Sequence, residues 1–125
     1  MSKFRTCLLI DDNPIDNTIN SYLIKKSDFA SEILVIEEPL KALELIKNGQ
    51  IIPDVIFLDV RMPLMDGFEF LEEYDKLNVD KSRTEIIMLS SSIDPADINR
   101  ATCNKYVSRW VTKSLSKKIL TEIAG

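Results

Sequence analysis

A chain of 125 residues, 45% hydrophobic and 29% charged, has the length and the composition of one globular domain rather than those of a disordered protein. Its formal net charge of −4 argues against direct binding to nucleic acid, because contacts to a phosphate backbone require a basic surface. No apolar run approaches the roughly 20 residues that cross a bilayer, and no signal-peptide pattern opens the chain, so we expect a cytoplasmic protein without a membrane partner.

Five short apolar runs alternate with longer amphipathic segments. The first four runs have four residues each and contain many β-branched side chains, which is typical of parallel strands buried on both faces. A fifth, weaker run precedes the last amphipathic segment. In chain order, the predicted strands cover residues 7–10, 33–36, 55–58, 86–89 and 106–111.

The segments between these runs have the apolar spacing of helices. Prolines 14 and 39 are suited to the first turns of the first and second helices, and Gly49 to the end of the second. Each stripe is expected to pack on the core, and the fourth is the weakest. The apolar positions, in chain order, are Ile15, Ile19, Tyr22 and Leu23; Leu43 and Ile46; Phe70, Tyr74 and Leu77; Ile98 and Ala101; and Leu115, Ile119 and Ile123.

Strands that alternate with helices form right-handed βαβ units, and therefore a parallel sheet covered by helices on both faces. The predicted fold class is a doubly wound α/β domain. Ligands of such sheets bind beyond the carboxyl ends of the strands, where the strand order reverses. The polar residues that end each strand are therefore the first candidates for a functional site.

Three carboxylates, a hydroxyl and an ammonium group follow the apolar runs: Asp11 and Asp12, Asp59, Ser90, and Lys113. Taken singly, each has an ordinary explanation as a helix cap, a turn residue or a surface charge. Together they should gather at one edge of the sheet, where the carboxylates repel each other unless a cation is present. Mg²⁺ is the natural cation for such oxygen ligands, and the lysine and the serine suit the oxygens of a phosphoryl group.

These residues occur in a recognisable order. The acidic pair at positions 11 and 12, the stretch Asp-Val-Arg-Met-Pro-Leu-Met-Asp-Gly at 59–67, Ser90, and Trp-Val-Thr-Lys at 110–113 resemble the receiver domain of bacterial two-component response regulators. The resemblance covers essentially the whole chain. It implies a stand-alone, chemotaxis-regulator-like receiver domain over residues 1–125, with the (βα)5 flavodoxin-like fold and strand order 2-1-3-4-5.

The resemblance also implies roles for the acidic residues. Asp59 would be the phosphoacceptor, which attacks a phosphohistidine of a partner kinase to form an acyl phosphate. Asp12, Asp59 and the backbone carbonyl of Arg61 would bind Mg²⁺ directly, and Asp11 mainly through water. Gly67 would shape the loop after the third strand by adopting a φ angle that other residues resist.

Ser90 and Lys113 would contact the phosphoryl group, and Trp110 stands at the position of the family's switch aromatic. Three features depart from the family pattern. Ser114 replaces the usual proline after Lys113, and because a cis bond without proline costs about 2.5–4 kcal/mol, we expect a trans bond there. Trp110 is larger than the usual tyrosine or phenylalanine, so it is either a switch or a half-buried anchor. The side chain of Arg61 is either solvated or reaches the phosphoryl group.

The predicted function is a phosphorylation-controlled signalling switch of a two-component system or phosphorelay, with self-catalysed phosphotransfer and autodephosphorylation only. Its expected partners are a sensor histidine kinase or a histidine phosphotransfer protein, and a downstream protein that binds the face of helix 4, strand 5 and helix 5. A homodimer through that face is also compatible. Two alternatives stay open: an Asp-nucleophile phosphatase of small phosphate esters, although Arg61 stands where its second aspartate is expected, and a degenerate receiver that only binds partners.

Overall fold

A computed structural model of the protein describes residues 3–91, 93–113 and 115–125. Five strands alternate with five helices from the first element to the last, as the sequence predicts. In chain order they are β1 (Phe4–Ile10), α1 (Pro14–Lys26), β2 (Ala30–Ile36), α2 (Pro39–Lys47), β3 (Val55–Asp59), α3 (Gly67–Lys76), β4 (Glu85–Ser90), α4 (Pro95–Thr102), β5 (Val107–Thr112) and α5 (Lys117–Ala124). None of the helices in the described part of the chain has the length and apolarity needed to cross a membrane.

The strands form one parallel sheet in the order β2-β1-β3-β4-β5. The chain passes from β1 to β2 on one side and then crosses to β3 on the other side of β1. The strand order therefore reverses between β1 and β3, and the carboxyl ends of these two strands flank the crevice where such sheets bind ligands. The predicted fold class and strand order are confirmed.

Alternating side chains of the strands build a core on each face of the sheet. On one face, Leu8 and Ile10 of β1 belong to a buried cluster that includes residues of α2, α3 and α4. On the other face, Cys7 and Leu9 belong to a second cluster that includes Ile24 of α1 and Leu120 of α5. The central strands are buried on both faces, which explains why their sequences are continuous apolar runs.

The orientation predicted for α1 is wrong for three of its four apolar positions, whereas Leu23 is half-buried and packs against the second cluster. Ile15, Ile19 and Tyr22 are 71%, 47% and 60% exposed, whereas the buried positions of the helix are Asn17, Asn20 and Ile24. These three side chains face outward because a polar contact sets the rotation of the helix: the Asn17 amide donates to the backbone carbonyl of Asp11, 2.9 Å away. The side chains of the second and third helices follow the prediction, with Leu43, Ile46, Phe70 and Tyr74 buried.

Candidate functional site

The polar ends of the strands meet at the carboxyl edge of the sheet. Asp11 follows β1, Asp59 and Ser90 end β3 and β4, and Lys113 follows β5. Asp11, Asp12 and Asp59 each offer a carboxylate oxygen within 4.8 Å of the other two. Asp11 and Asp59 are 1% and 6% exposed, whereas Asp12 is exposed to solvent. The structure therefore brings together the acidic residues that the sequence singled out.

The ammonium group of Lys113 lies among three carboxylates. Its Nζ is 2.8 Å from Asp11 Oδ2, 3.0 Å from Asp16 Oδ2 and 3.4 Å from Asp59 Oδ1. The backbone N–H of Lys113 donates to the carbonyl oxygen of Ser90, 2.8 Å away, which fixes the start of the loop after β5 against the end of β4. The lysine thus bridges three strand ends and the first turn of α1.

Asp16 and Asn17 belong to this site, and the sequence reasoning missed both. Asn13 caps α1 by accepting hydrogen bonds from the N–H groups of Ile15 and Asp16, and its own N–H donates to Asp11 Oδ1, 3.0 Å away. This cap and Pro14 set the start of the helix. A helix that begins at Pro14 carries Asp16 in its first turn, beside the acidic pair. This spacing could have predicted from the sequence that Asp16 lies in the site.

The site perturbs the titration of its own groups. Burial, and then the charge of Asp11, raise the pKa of Asp59 from 3.8 to about 7, although Lys113 pulls it in the opposite direction. Burial opposes the charge of Lys113, but its hydrogen bonds to Asp11 and Asp16 and the charge of Asp59 outweigh burial and raise its pKa. The carboxyl group of Asp59 is therefore held in a pocket that resists its ionisation in the absence of a further cation.

Gly67 shapes the loop after β3, but for a reason other than the predicted one. The glycines with positive φ in the described part of the chain are Gly49 and Gly125, so Gly67 needs no special backbone angle. A Cβ atom at position 67 would instead lie 2.7 Å from the carbonyl oxygen of Asp59, closer than real Cβ atoms approach. The N–H of Gly67 donates to the carbonyl of Val60, 2.9 Å away. Glycine is needed because α3 begins directly against the end of β3.

Arg61 is largely solvated, as one of its two predicted alternatives has it, and it also makes a contact that the sequence did not predict. Its side chain is 62% exposed, and its guanidinium group forms a salt bridge with Asp97 in the first turn of α4. It also lines an open cavity of about 460 Å³ over the site, together with Asp59 and Lys113. The contact joins the loop after the candidate phosphoacceptor to α4.

Ser90 and Trp110 lie close to the site without lining that cavity. Ser90 is fully buried at the end of β4, and the neighbouring Ser91 lines the cavity in its place. Trp110 is half-buried on β5 and packs against the cluster on the α2, α3 and α4 face. Its indole N–H is buried and finds no hydrogen-bond partner among the described residues. Ser114 lies outside the described residues, so the trans bond after Lys113 stays a prediction.

The donor set fits a hard divalent cation. The site contains four carboxylates and one ammonium group, which leaves three negative charges when all are ionised; they belong to Asp11, Asp12, Asp16, Asp59 and Lys113. Oxygen atoms are the ligands that Mg²⁺ prefers, and Mg²⁺ usually takes one or two protein carboxylates and keeps several waters. The open cavity beside Asp12 and Asp59 leaves room for those waters.

Comparisons with known proteins agree with this geometry. The sequence profile of the response regulator receiver domain matches residues 7–124. The chain is 33% identical over 116 residues to the sensor histidine kinase CheAY of Helicobacter pylori, covering 93% of this chain but only 14% of that protein. Protein-glutamate methylesterases also match, over 22–27% of their lengths, so the activities of these longer proteins do not follow for this chain.

Relatives of similar length share the whole fold. A two-component response regulator of Cytophaga hutchinsonii is 27% identical in its crystal structure, with a TM-score of 0.88 over 98% of this chain and 95% of that one. Response regulator Rcp1 of Synechocystis sp. is 27% identical over 121 residues, 93% of this chain and 81% of that protein. The crystal structure of its Mn²⁺-bound form has a TM-score of 0.77 over 97% of this chain and 90% of that one. The sequence profile, the fold and the acidic edge of the sheet agree: the chain belongs to the response regulator receiver domain family.

Proposed function

We propose that Asp59 of this two-component receiver domain accepts a phosphoryl group in the presence of Mg²⁺. The observation that carries the proposal is the position of the Lys113 ammonium group, 3.4 Å from Asp59 and also paired with Asp11 and Asp16. A buried carboxylate and a fixed cation that line the same open cavity are suited to in-line attack on phosphorus.

Asp12, Asp59 and the backbone carbonyl of Arg61 would bind the metal directly, and Asp11 through water. The excess of carboxylates in the site and the Mn²⁺-bound form of Rcp1 support a divalent cation there. When bound, Mg²⁺ supplies positive charge that offsets the repulsion among the carboxylates and the incoming phosphoryl oxygens.

In the transfer step, an oxygen of Asp59 forms a bond to phosphorus, and the bond between phosphorus and the imidazole nitrogen of the donor breaks. The electron pair of that bond stays on the imidazole. Lys113, already oriented by Asp11 and Asp16, would pair with a phosphoryl oxygen, and Ser90 would turn its hydroxyl group toward another. Hydrolysis of the acyl phosphate by water would return the domain to its starting state.

The phosphodonor in this proposal is a sensor histidine kinase or a histidine phosphotransfer protein. Ser90 and Trp110 would report the phosphoryl group to α4, β5 and α5, through which a downstream protein or a second copy binds. Passing the phosphoryl group to a histidine protein in a phosphorelay fits the same site. The extent of the domain, residues 1–125, and a cytoplasmic location stay predictions.

Incubation with acetyl phosphate and Mg²⁺, followed by mass spectrometry of the intact chain, tests the proposal. We expect one labile phosphoryl adduct per chain, absent from Asp59→Asn and unchanged in Asp80→Asn, which changes an exposed aspartate away from the site. Lys113→Ala should slow labelling. Continuous release of phosphate from small esters would favour the phosphatase alternative, and an unlabelled wild-type chain would favour the degenerate receiver.

A further inference from the structure

A second, apolar cleft lies beside the acidic site and shares only Asp12 with the proposed metal ligands. It has a volume of about 320 Å³ and lies between the start of α2 and the loop after β3, with Asp12 at the end nearest the site. Buried Pro39 and Met62 lie at its base. Leu40 and Leu64 line it as well and are 60% and 93% exposed. We call this the acid-rimmed cleft.

Single exposed leucines are common on protein surfaces, but two that line one concave cleft are not explained by that frequency alone. Two methionines, Met62 and Met65, line the same cleft. Methionine side chains are flexible and polarisable, and they are frequent on surfaces that adapt to a partner. Shape and composition therefore favour an apolar side chain as the occupant.

The charges at the cleft indicate which groups should flank the apolar side chain of the occupant. Asp12, Glu37 and Glu38 line it and are exposed, and no lysine or arginine is among its lining residues. The nearest basic side chain on α2, Lys41, lines a separate groove with Glu37 and Glu38. An occupant that buries the leucines must bring its flanking groups close to three carboxylates, so positive flanking groups are favoured and negative ones are repelled.

We propose that the acid-rimmed cleft binds a segment of a partner protein in which an apolar side chain is flanked by lysine or arginine. The apolar side chain contacts Leu40, Leu64 and the methionines, and the basic residues face Asp12, Glu37 and Glu38. The loop that provides Met62, Leu64 and Met65 directly follows Asp59 and Arg61, so this surface adjoins the acidic site but does not include its buried residues.

A fluorescein-labelled peptide, Lys-Arg-Leu-Leu-Arg-Lys, titrated with the full chain and followed by fluorescence anisotropy, tests this assignment. Two matched peptides replace the leucines with serine or the basic residues with glutamate. We expect only the first to bind measurably, and Leu64→Ser and Leu40→Ser to weaken its binding at least about fivefold, because each removes a buried apolar contact. Glu37→Gln and added salt should weaken it as well.

Ile52→Ser is the matched control, because Ile52 is 72% exposed and lies before β3, at the opposite edge of the sheet. It should bind the peptide as the wild type does. Absence of binding, equal binding of the serine peptide, or full affinity in both leucine variants would overturn the proposal. So would self-association of the chain that Leu64→Ser abolishes in sedimentation velocity, since the occupant would then be a second copy.

Circular dichroism melts of each variant confirm that it folds. The high exposure of Leu64 makes a loss of folding in Leu64→Ser unexpected, so this variant keeps the test decisive even if Leu40→Ser is unstable. All titrations use the unphosphorylated chain without Mg²⁺. Peptide binding and labelling of Asp59 by acetyl phosphate are thus separate measurements. A failure of peptide binding would contradict only the proposal for the cleft, and a failure of labelling only the proposed function.

Discussion

Asp59 is held in an environment that disfavours its ionised form, which the proposed phosphoryl transfer requires. Burial and the neighbouring carboxylate of Asp11 raise its pKa to about 7, and Lys113 offsets only part of this increase. A nucleophilic carboxylate must be ionised, so a metal ion that stabilises the ionised form also prepares it for attack. The same electrostatics predict a measurable dependence of stability on pH.

The free energy of unfolding without metal should fall as the pH rises through the range between the two pKa values of Asp59. Below about pH 4 the group is protonated in both the folded and the unfolded chain. Between pH 4 and 7 the folded chain holds its proton more tightly than the unfolded chain, so stability decreases with pH, and the loss levels off above pH 7.

Urea unfolding in EDTA at pH 5, 6, 7 and 8 measures this effect, with Asp59→Asn as the neutral reference. The stability gained by Asp59→Asn over the wild type should grow from pH 5 to pH 7 and then stay constant. Repeating the series with Mg²⁺ should flatten the wild-type curve. A stability difference that does not change with pH would show that Asp59 titrates normally.

Gly67→Ala tests whether glycine is needed at position 67 because of the nearby carbonyl oxygen of Asp59 rather than because of its φ angle. The new methyl group would lie 2.7 Å from the carbonyl oxygen of Asp59, so the backbone must shift. This shift should lower the free energy of unfolding by about 1–3 kcal/mol. Gly49→Asn is the control, because position 49 has open space and a positive φ that asparagine tolerates. Urea unfolding measures both, and equal stability of Gly67→Ala and the wild type would refute the close contact.

At the scale of elements, α1 shows where apolar periodicity misleads. Ile15, Ile19 and Tyr22 have the correct spacing for a core stripe, yet the helix turns Asn17 and Ile24 inward. Ile24→Ala should lower the free energy of unfolding by about 2–5 kcal/mol, because it opens a cavity in a fully buried position. Ile19→Ala, at 47% exposure, should cost less than about 1 kcal/mol. Urea unfolding measures both variants. A larger loss of stability in Ile19→Ala than in Ile24→Ala would support the orientation predicted from the sequence.

The rest of the secondary structure was predictable because it depends on local signals. Apolar runs marked the strands, and in a parallel sheet their ends must share an edge, which placed Asp11, Asp59 and Lys113 together. The pairing of Arg61 with Asp97 joins residues 36 positions apart, and no local pattern encodes it. The buried polar face of α1 was hidden for the same reason: it depends on one tertiary hydrogen bond rather than on hydrophobicity.

Trp110 links β5 to the proposed switch and offers an optical test of it. It is the only tryptophan, and its buried indole N–H has no partner among the described residues, so a change in its surroundings should alter its emission. Mg²⁺ with beryllium fluoride, which mimics the phosphoryl group on Asp59, should shift the emission of the wild type. Asp59→Asn should show no shift. Unchanged wild-type emission at saturating beryllium fluoride would leave Trp110 as a structural anchor.

Across the whole molecule, exposed apolar side chains are distributed unevenly. Ile15, Ile19 and Tyr22 of α1, with Leu40 and Leu64 of the acid-rimmed cleft, are among the large exposed hydrophobic residues of the described chain, whereas α4, β5 and α5 contribute none to that group. Ile93, two residues before α4, is 75% exposed, so the face predicted to bind downstream partners has an exposed apolar side chain next to it. On the face itself, Arg109 and Glu122 form an ion pair at 3.7 Å. Binding at that face would combine polar contacts with Ile93, while the acid-rimmed cleft supplies two exposed leucines elsewhere.

The balance of charge at the carboxyl edge also predicts how the stability of the entire domain responds to metal. Mg²⁺ should bind the folded site and not the unfolded chain, which lacks the clustered carboxylates, so it should raise the free energy of unfolding. At a concentration 100 times its dissociation constant, the gain would be about 2.7 kcal/mol, enough to raise the melting temperature by several degrees.

Asp12→Asn separates the metal effect from general electrostatics, because two opposite changes are expected. Without metal, the variant should melt at a higher temperature than the wild type, since one of the clustered negative charges is gone. With Mg²⁺, it should lose most of the wild-type gain, since a proposed ligand is missing. Differential scanning calorimetry in EDTA and in Mg²⁺ measures both, with Asp80→Asn as the control for a lost surface charge. A wild type that melts at one temperature in both buffers would exclude a metal site at this edge of the sheet.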